Sequence, residues 1–110
     1  MVENYPGHVD RAFHALSDQT RRAILYRLAT GGGGGASGSL TVGHLAAPFE
    51  MSLAAVSKHI QVLVDAGLVS KERDGRVRRC AMNFDGLRDA TEVVRWFQKF
   101  WGDQLDSLER

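Results

Sequence analysis

Residues 41–82 read TVGHLAAPFEMSLAAVSKHIQVLVDAGLVSKERDGRVRRCAM, and this stretch decides the fold. Thr41 can cap a short helix from Val42 to about Ala47 that packs through Val42, Leu45 and Ala46. Pro48 ends that helix and opens a tight turn. Ser52 then caps a second helix running to about Ala66. Its apolar residues Leu53, Val56, Ile60, Leu63 and Val64 recur at helical spacing, so one stripe faces a core. The other face carries Ser52, Ala55, Ser57, Lys58 and Gln61, all small or hydrogen-bonding. Gly67 supplies the left-handed residue that closes a helix end. Leu68-Val69-Ser70 begins a strand, Asp74-Gly75 signals a two-residue hairpin turn, and Arg76 to Met82 forms the returning strand. A helix with a thin polar face can enter a major groove about 12 Å wide and reach base edges. A basic hairpin beside it can hold the neighbouring phosphates. The expected fold is mainly α with a small β-hairpin, a winged helix-turn-helix, and the expected partner is double-stranded DNA.

The flanking sequence completes this unit rather than adding a second one. A first helix runs from about Pro6 or His8 to Leu16, with Val9, Phe13 and Leu16 at helical spacing. Ser17 or Asp18 restarts the chain as the cap of a second helix to about Ala29, which buries Ile24, Leu25 and Leu28 and shows Arg21, Arg22 and Arg27. Residues 31–39, GGGGGASGS, read as a flexible surface loop, because so glycine-rich a run cannot support helix or strand. An inserted connector is preferred over a DNA-contacting arm, since lengthening a loop costs only about 0.6 kcal/mol per doubling. Neither flank of the loop could form a core alone, so residues 1–110 are one domain. Asp85 is expected to cap a long last helix from Leu87 to about Leu108.

In that helix Leu87, Val94, Trp101 and Leu108 recur every seven residues, and Ala90 and Phe97 fill the seam between them. Val93, Trp96 and Phe100 broaden the stripe to a second face. So small a domain cannot cover all these aromatic rings, and an exposed apolar patch marks an interface. Dimerisation through the terminal helices is therefore expected, with Phe13, Val94, Phe97, Trp101, Leu105 and Leu108 at the contact.

Net charge is only +1, but it is unevenly placed. Between Ser52 and Cys80 six basic residues (Lys58, Lys71, Arg73, Arg76, Arg78, Arg79) outnumber three acids (Asp65, Glu72, Asp74). After Cys80 the balance reverses. Positive charge thus gathers where a phosphate-contacting surface needs it. The single cysteine, Cys80, excludes an internal disulfide and points to a reducing compartment. No apolar run approaches a membrane span, and residues 1–8 do not read as a signal peptide, so a cytoplasmic protein is expected. No Ser/His/Asp, paired-carboxylate or phosphate-loop pattern appears, and no Gly-Lys-Ser/Thr follows the glycine run. An enzyme is not expected.

Among individual residues, Ser57 and Lys58 suit direct DNA contact, and Gln61 can pair with adenine N6 and N7. His59 adjoins the apolar stripe, where a hydrogen-bonded packing role is preferred over base reading. Arg73, Arg76 and Arg78 are the candidate wing contacts. Side chains alternate along a strand, so Arg76 and Arg78 share one face and Arg79 points the other way. Arg21 and Arg22 suit either the DNA backbone or a salt bridge to the last helix. Cys80 lies beside two arginines, which can activate a thiol for redox sensing. A small buried hydrophobe is the preferred role. His8, His14 and His44 form no ligand cluster in the sequence.

The stretch FHALSDQTRRAIL (residues 13–25) resembles the "ALSDPTRRxIL" opening of the ArsR family of bacterial winged-helix repressors. LAAVSKHIQVL (53–63) followed by AGLV (66–69) is similar to that family's recognition helix and its exit, and RDGRVRR (73–79) to its "REGRxxxY" hairpin. The likeness covers nearly the whole chain except the glycine loop. The last helix looks like the subgroup ending in "FW…LDxL". This resemblance implies a homodimer built through the first and last helices that represses transcription by occupying an operator. Two family features are missing. Leu40-Thr41-Val42-Gly43-His44 carries no Cys-x-Cys metal pair, and no histidine follows Leu87, where carboxylates alone hold zinc poorly. No metal or other cofactor is therefore expected.

The expected function is that of a homodimeric repressor binding a roughly palindromic operator through Ser52, Ala55, Ser57, Lys58, Gln61, Arg73, Arg76 and Arg78. A sensor released from DNA by a small inducer or by modification of Cys80 is the alternative. A protein–protein adaptor without DNA is disfavoured by the concentrated wing charge.

Overall fold

Asp18 shows how the chain builds its first corner. Its carboxylate accepts the Arg21 backbone N–H at 3.0 Å, which caps the second helix within two residues of the end of the first. The structure, a computed structural model, describes residues 7–31 and 38–109. Residues 32–37, most of the expected glycine loop, lie outside the described residues, as do the side chains of His8, Leu105 and Glu109. The elements are α1 (Gly7–Leu16), α2 (Gln19–Ala29), β1 (Leu40–Thr41), α3 (Val42–Ala46), α4 (Leu53–Asp65), β2 (Val69–Asp74), β3 (Val77–Met82) and α5 (Asp85–Glu109). The core gathers Ile24, Leu28, Leu45, Val56, Ile60, Leu63, Leu68 and Cys80 from α2, α3, α4, the link between α4 and β2, and the sheet. Burying such side chains stabilises by about 1.5–3 kcal/mol each before entropy is set against it.

Thr41 and Ser52 cap α3 and α4 by accepting the N–H groups of His44 and Ala55, both at 3.1 Å. Gly67 has φ +76° and closes α4. The sheet is three-stranded and antiparallel in the order β1-β3-β2, with Leu40 opposite Cys80 and Lys71 opposite Cys80 on the other side. The third strand was not expected. A two-residue strand carries no alternation to read, and it is set by pairing to β3.

Four further expectations are corrected. The hairpin loop is Gly75-Arg76, because Asp74 pairs with Val77. Gly75 takes φ +65° at the first loop position, where a type II′ turn requires glycine. Arg76 therefore sits in the turn and not on a strand face. Second, Asp85 does not cap α5. Asn83 accepts the Asp85 N–H at 3.1 Å, and the Asp85 carboxylate pairs with Arg88 at 2.9 Å. Third, Ala90 and Val93 are buried inside the chain, where α5 packs on α1. Ala90 therefore does not fill an outward seam, while Val93, expected on a second face, lines an apolar hollow together with Phe13. Fourth, Leu53 leaves the core. It is 58% exposed, because the buried stripe runs through Val56, Ile60 and Leu63 and the first turn of α4 projects beyond it.

Candidate DNA-binding face and apolar interface

The candidate surface starts from α4. Leu53, Ser57 and Gln61 follow one another at four-residue intervals and so form a row along one flank of the helix. Opposite this row stands the wing. Leu53 and Ser57 share a concavity of about 430 Å³ with Arg76 and Arg78 of the hairpin and with Thr41 and Gly43 at the start of α3. Further along, Lys71 donates to the Gln61 carbonyl at 3.2 Å while the Gln61 amide donates to Asp65 at 2.8 Å. Both ends of Gln61 are thus engaged within the protein. Lys58 is exposed, whereas Ala55 is half-buried on the flank that also carries His59. Ser52 uses its hydroxyl oxygen as the cap.

The wing separates its cations by face. Arg73 stands directly opposite Arg78, and Lys71 lies two residues away on the same side of β2. Like charges placed directly opposite across strands repel. Among the described residues neither Arg73 nor Arg78 has an acidic partner, and both are exposed. Arg79 lies on the other face and pairs with Asp74 at 3.8 Å. An array of neighbouring unpaired cations beside an exposed helix flank can accept a row of phosphates.

Arg21 and Arg22 are occupied elsewhere. Arg21 Nε donates to the Ala15 carbonyl at 2.7 Å, its other nitrogens reach the His14 carbonyl and His59 Nδ1, and Arg22 donates to the Leu16 carbonyl at 2.8 Å. Instead of a salt bridge to the last helix, both arginines donate to carbonyls at the end of α1, where Ser17 also donates to the His14 carbonyl through its N–H and its hydroxyl. His59 Nδ1 also stands 3.8 Å from Asp18. Helix α4 is thus tied by polar contacts to the α1–α2 corner. The Arg21 backbone N–H, and then the nearby Arg21 and His59, hold the Asp18 carboxyl below the usual carboxylate range.

Cys80 is fully buried, and burial pushes its thiol up despite the cationic Lys71 beside it. A protonated, enclosed thiol is a poor nucleophile. Among the described residues no three His, Cys, Asp or Glu side chains converge as a metal site.

A second surface lies at the junction of α1 and α5. Phe13, Val93, Val94, Phe97 and Trp101 line an almost wholly apolar hollow of about 350 Å³. Phe97 stacks on Trp101 with ring centres 4.6 Å apart. Trp96 stacks on Phe100 at 5.5 Å along the neighbouring edge. Val94 and Trp101 are nearly half exposed and Leu108 is 81% exposed. No helix among the described residues is long and apolar enough to cross a membrane.

A winged fold with this helix and wing has clear relatives. The helix-turn-helix domain family matches residues 16–72. The transcriptional repressor SdpR of Bacillus subtilis is 30% identical over 84% of this chain and 91% of its own. A crystal structure of an ArsR family transcriptional regulator superposes with a TM-score of 0.76 at 36% identity, covering 90% of this chain and 95% of that one. The chain belongs to the ArsR family of winged helix-turn-helix transcriptional regulators. An HTH-type transcriptional regulator of Mycobacterium tuberculosis is 44% identical over 71% of this chain, a match that spans 66% of that regulator's length. The solution structure of a homodimeric winged helix-turn-helix DNA-binding domain from Mycobacterium bovis has a TM-score of 0.59 at 25% identity, over 91% of this chain and 83% of that one. As an ArsR-family member the chain is a DNA-binding regulator of transcription and not an enzyme. The mainly helical winged fold expected from residues 41–82 is the fold of its relatives.

Proposed function

We propose that this regulator is a homodimeric repressor that occupies a roughly palindromic operator in the cytoplasm. The observation that carries the reading is the pair Arg73 and Arg78, opposed across the hairpin without an acidic partner, beside the exposed flank of α4. Bound phosphate relieves their repulsion and releases counterions. In this reading α4 enters the major groove with Ser52, Ala55, Ser57 and Lys58 nearest the DNA. Arg73, Arg76 and Arg78 grip the flanking backbone. Gln61, held by Lys71 and Asp65, braces the wing against the helix unless DNA displaces those partners.

The dimer forms through Phe13 of α1 and Val94, Phe97, Trp101, Leu105 and Leu108 of α5. What supports it is the apolar hollow and the homodimeric state of the Mycobacterium bovis domain. Two symmetric recognition helices read half-sites about one helical turn apart. Repression follows from occupying the promoter; the relative SdpR is named a transcriptional repressor. Redox release through Cys80 has no place here, since the thiol is enclosed.

The test is selection of a duplex from a random pool by the wild-type protein, followed by footprinting of the winner. The expected result is two inverted half-sites protected about one turn apart. An absence of any enriched sequence, or a single unrepeated half-site, would contradict the reading.

A further inference from the structure

We infer that Leu53 is a specificity-determining residue that reads the C5-methyl group of thymine in the major groove. This rests on the operator reading above and deepens it. Leu53 is the first residue of α4, immediately after its cap Ser52, and it is 58% exposed although its helix is otherwise patterned to bury leucine. The first turn of a recognition helix reaches furthest toward the base edges. Leu53 also opens into the concavity shared with Ser57 and with Arg76 and Arg78 of the wing. Val42 and Val77 also line that concavity, but Leu53 is the large apolar side chain carried by the first turn of α4 itself, and more than half of it stays uncovered by them, open to the DNA and not the core.

The chemistry then selects one occupant. Across the major-groove edges of the four bases, the thymine methyl is the one sizeable apolar group; cytosine offers only a small C5–H in its place, beside an amine, and the hydrogen-bonding positions are nitrogen and oxygen donors or acceptors. A leucine pressed against an amine or a carbonyl would desolvate that polar group without replacing its hydrogen bond. Against a methyl it removes apolar surface of both partners from water. Ser57 stands one turn further along the same flank, and its hydroxyl can bond to the neighbouring base edge. The pair therefore favours thymine, and disfavours cytosine, whose ring carries an amine and no methyl.

The experiment uses the full chain and the duplex that the wild-type protein itself selects. Each thymine in a half-site is replaced singly by deoxyuridine, which removes the methyl and leaves the pairing and other groove atoms unchanged. At one or two positions wild type is expected to lose roughly fourfold in affinity per half-site, the worth of about one buried methyl. Leu53→Ala is expected to bind the thymine duplex that much more weakly and to show no further loss with deoxyuridine at the same positions. Equal sensitivity in wild type and Leu53→Ala, or no thymine position at which wild type responds, overturns the inference while leaving the operator reading intact. Leu53 is largely exposed, so Leu53→Ala keeps the fold, and Leu53→Met, which restores an apolar side chain, is expected to regain the response to deoxyuridine; a Met variant as unresponsive as Ala also overturns the inference. Failure to select any sequence overturns the operator reading, and this inference with it.

Discussion

Arg78 and Arg79 are adjacent in the chain and opposite in situation. Arg78 shares a face with Arg73 and the α4 concavity, whereas Arg79 is paired with Asp74. Arg78→Ala is expected to weaken binding to all duplexes and to flatten the salt dependence by about one phosphate contact per protomer. Arg79→Ala should leave both nearly unchanged, and a titration at several salt concentrations distinguishes the two. Strand alternation made this division legible in the sequence. Arg21 was not legible, because its role depends on the carbonyls that α1 leaves unpaired at a corner only the fold creates. Asp18 adds a pH dependence of known sign. Its folded pKa lies below the ordinary carboxylate value, so the stability it contributes is fully present above that value and is lost as pH falls through the folded one. The stability difference between wild type and Asp18→Asn, followed by denaturant titration, should shrink as pH falls below about 5.

Among the elements, α4 and the hairpin were readable because each carries its own punctuation: Ser52 and Gly67 at the helix ends, and a glycine at the turn. The turn was misplaced by one residue, since an Asp-Gly pair signals a two-residue loop without fixing which pair closes it. Strand β1 had no local signal. Nor did the contact between the end of α4 and the start of α5, where the Gly86 N–H donates to the Gly67 carbonyl at 3.1 Å. A Cβ on Gly86 would lie 2.4 Å from the Gly67 oxygen and 2.7 Å from that of Ala66. Alanine is normally the better helix former by about 1 kcal/mol. Here Gly86→Ala is expected to destabilise by about 1–3 kcal/mol, because backbone must shift to admit the methyl. Chemical denaturation measures this, and a stabilised variant would show that the two helices are not in fixed contact.

At the scale of the whole molecule, the lengths of α1 and α5 leave surface to be covered. Ten residues of helix span about 15 Å and twenty-five about 37 Å, so α1 can shield only part of α5. The aromatic excess of the last helix announced this in the sequence, although which rings turn inward required the packing of Ala90 and Val93 on α1. Trp101→Ala is expected to weaken dimerisation by about 2 kcal/mol, roughly thirtyfold, with helical content retained. Sedimentation across a concentration series measures it, and an undisturbed dimer would place the interface elsewhere. The central claim is that two wings and two recognition helices act together on one DNA site. The most direct test is titration of the selected duplex, and of a random duplex of equal length, at several salt concentrations. The account predicts a slope of log K on log salt near −5 or steeper, for about five or more phosphates engaged by the dimer, together with clear preference for the selected sequence. A slope shallower than about −2 with equal affinity for both duplexes would contradict it.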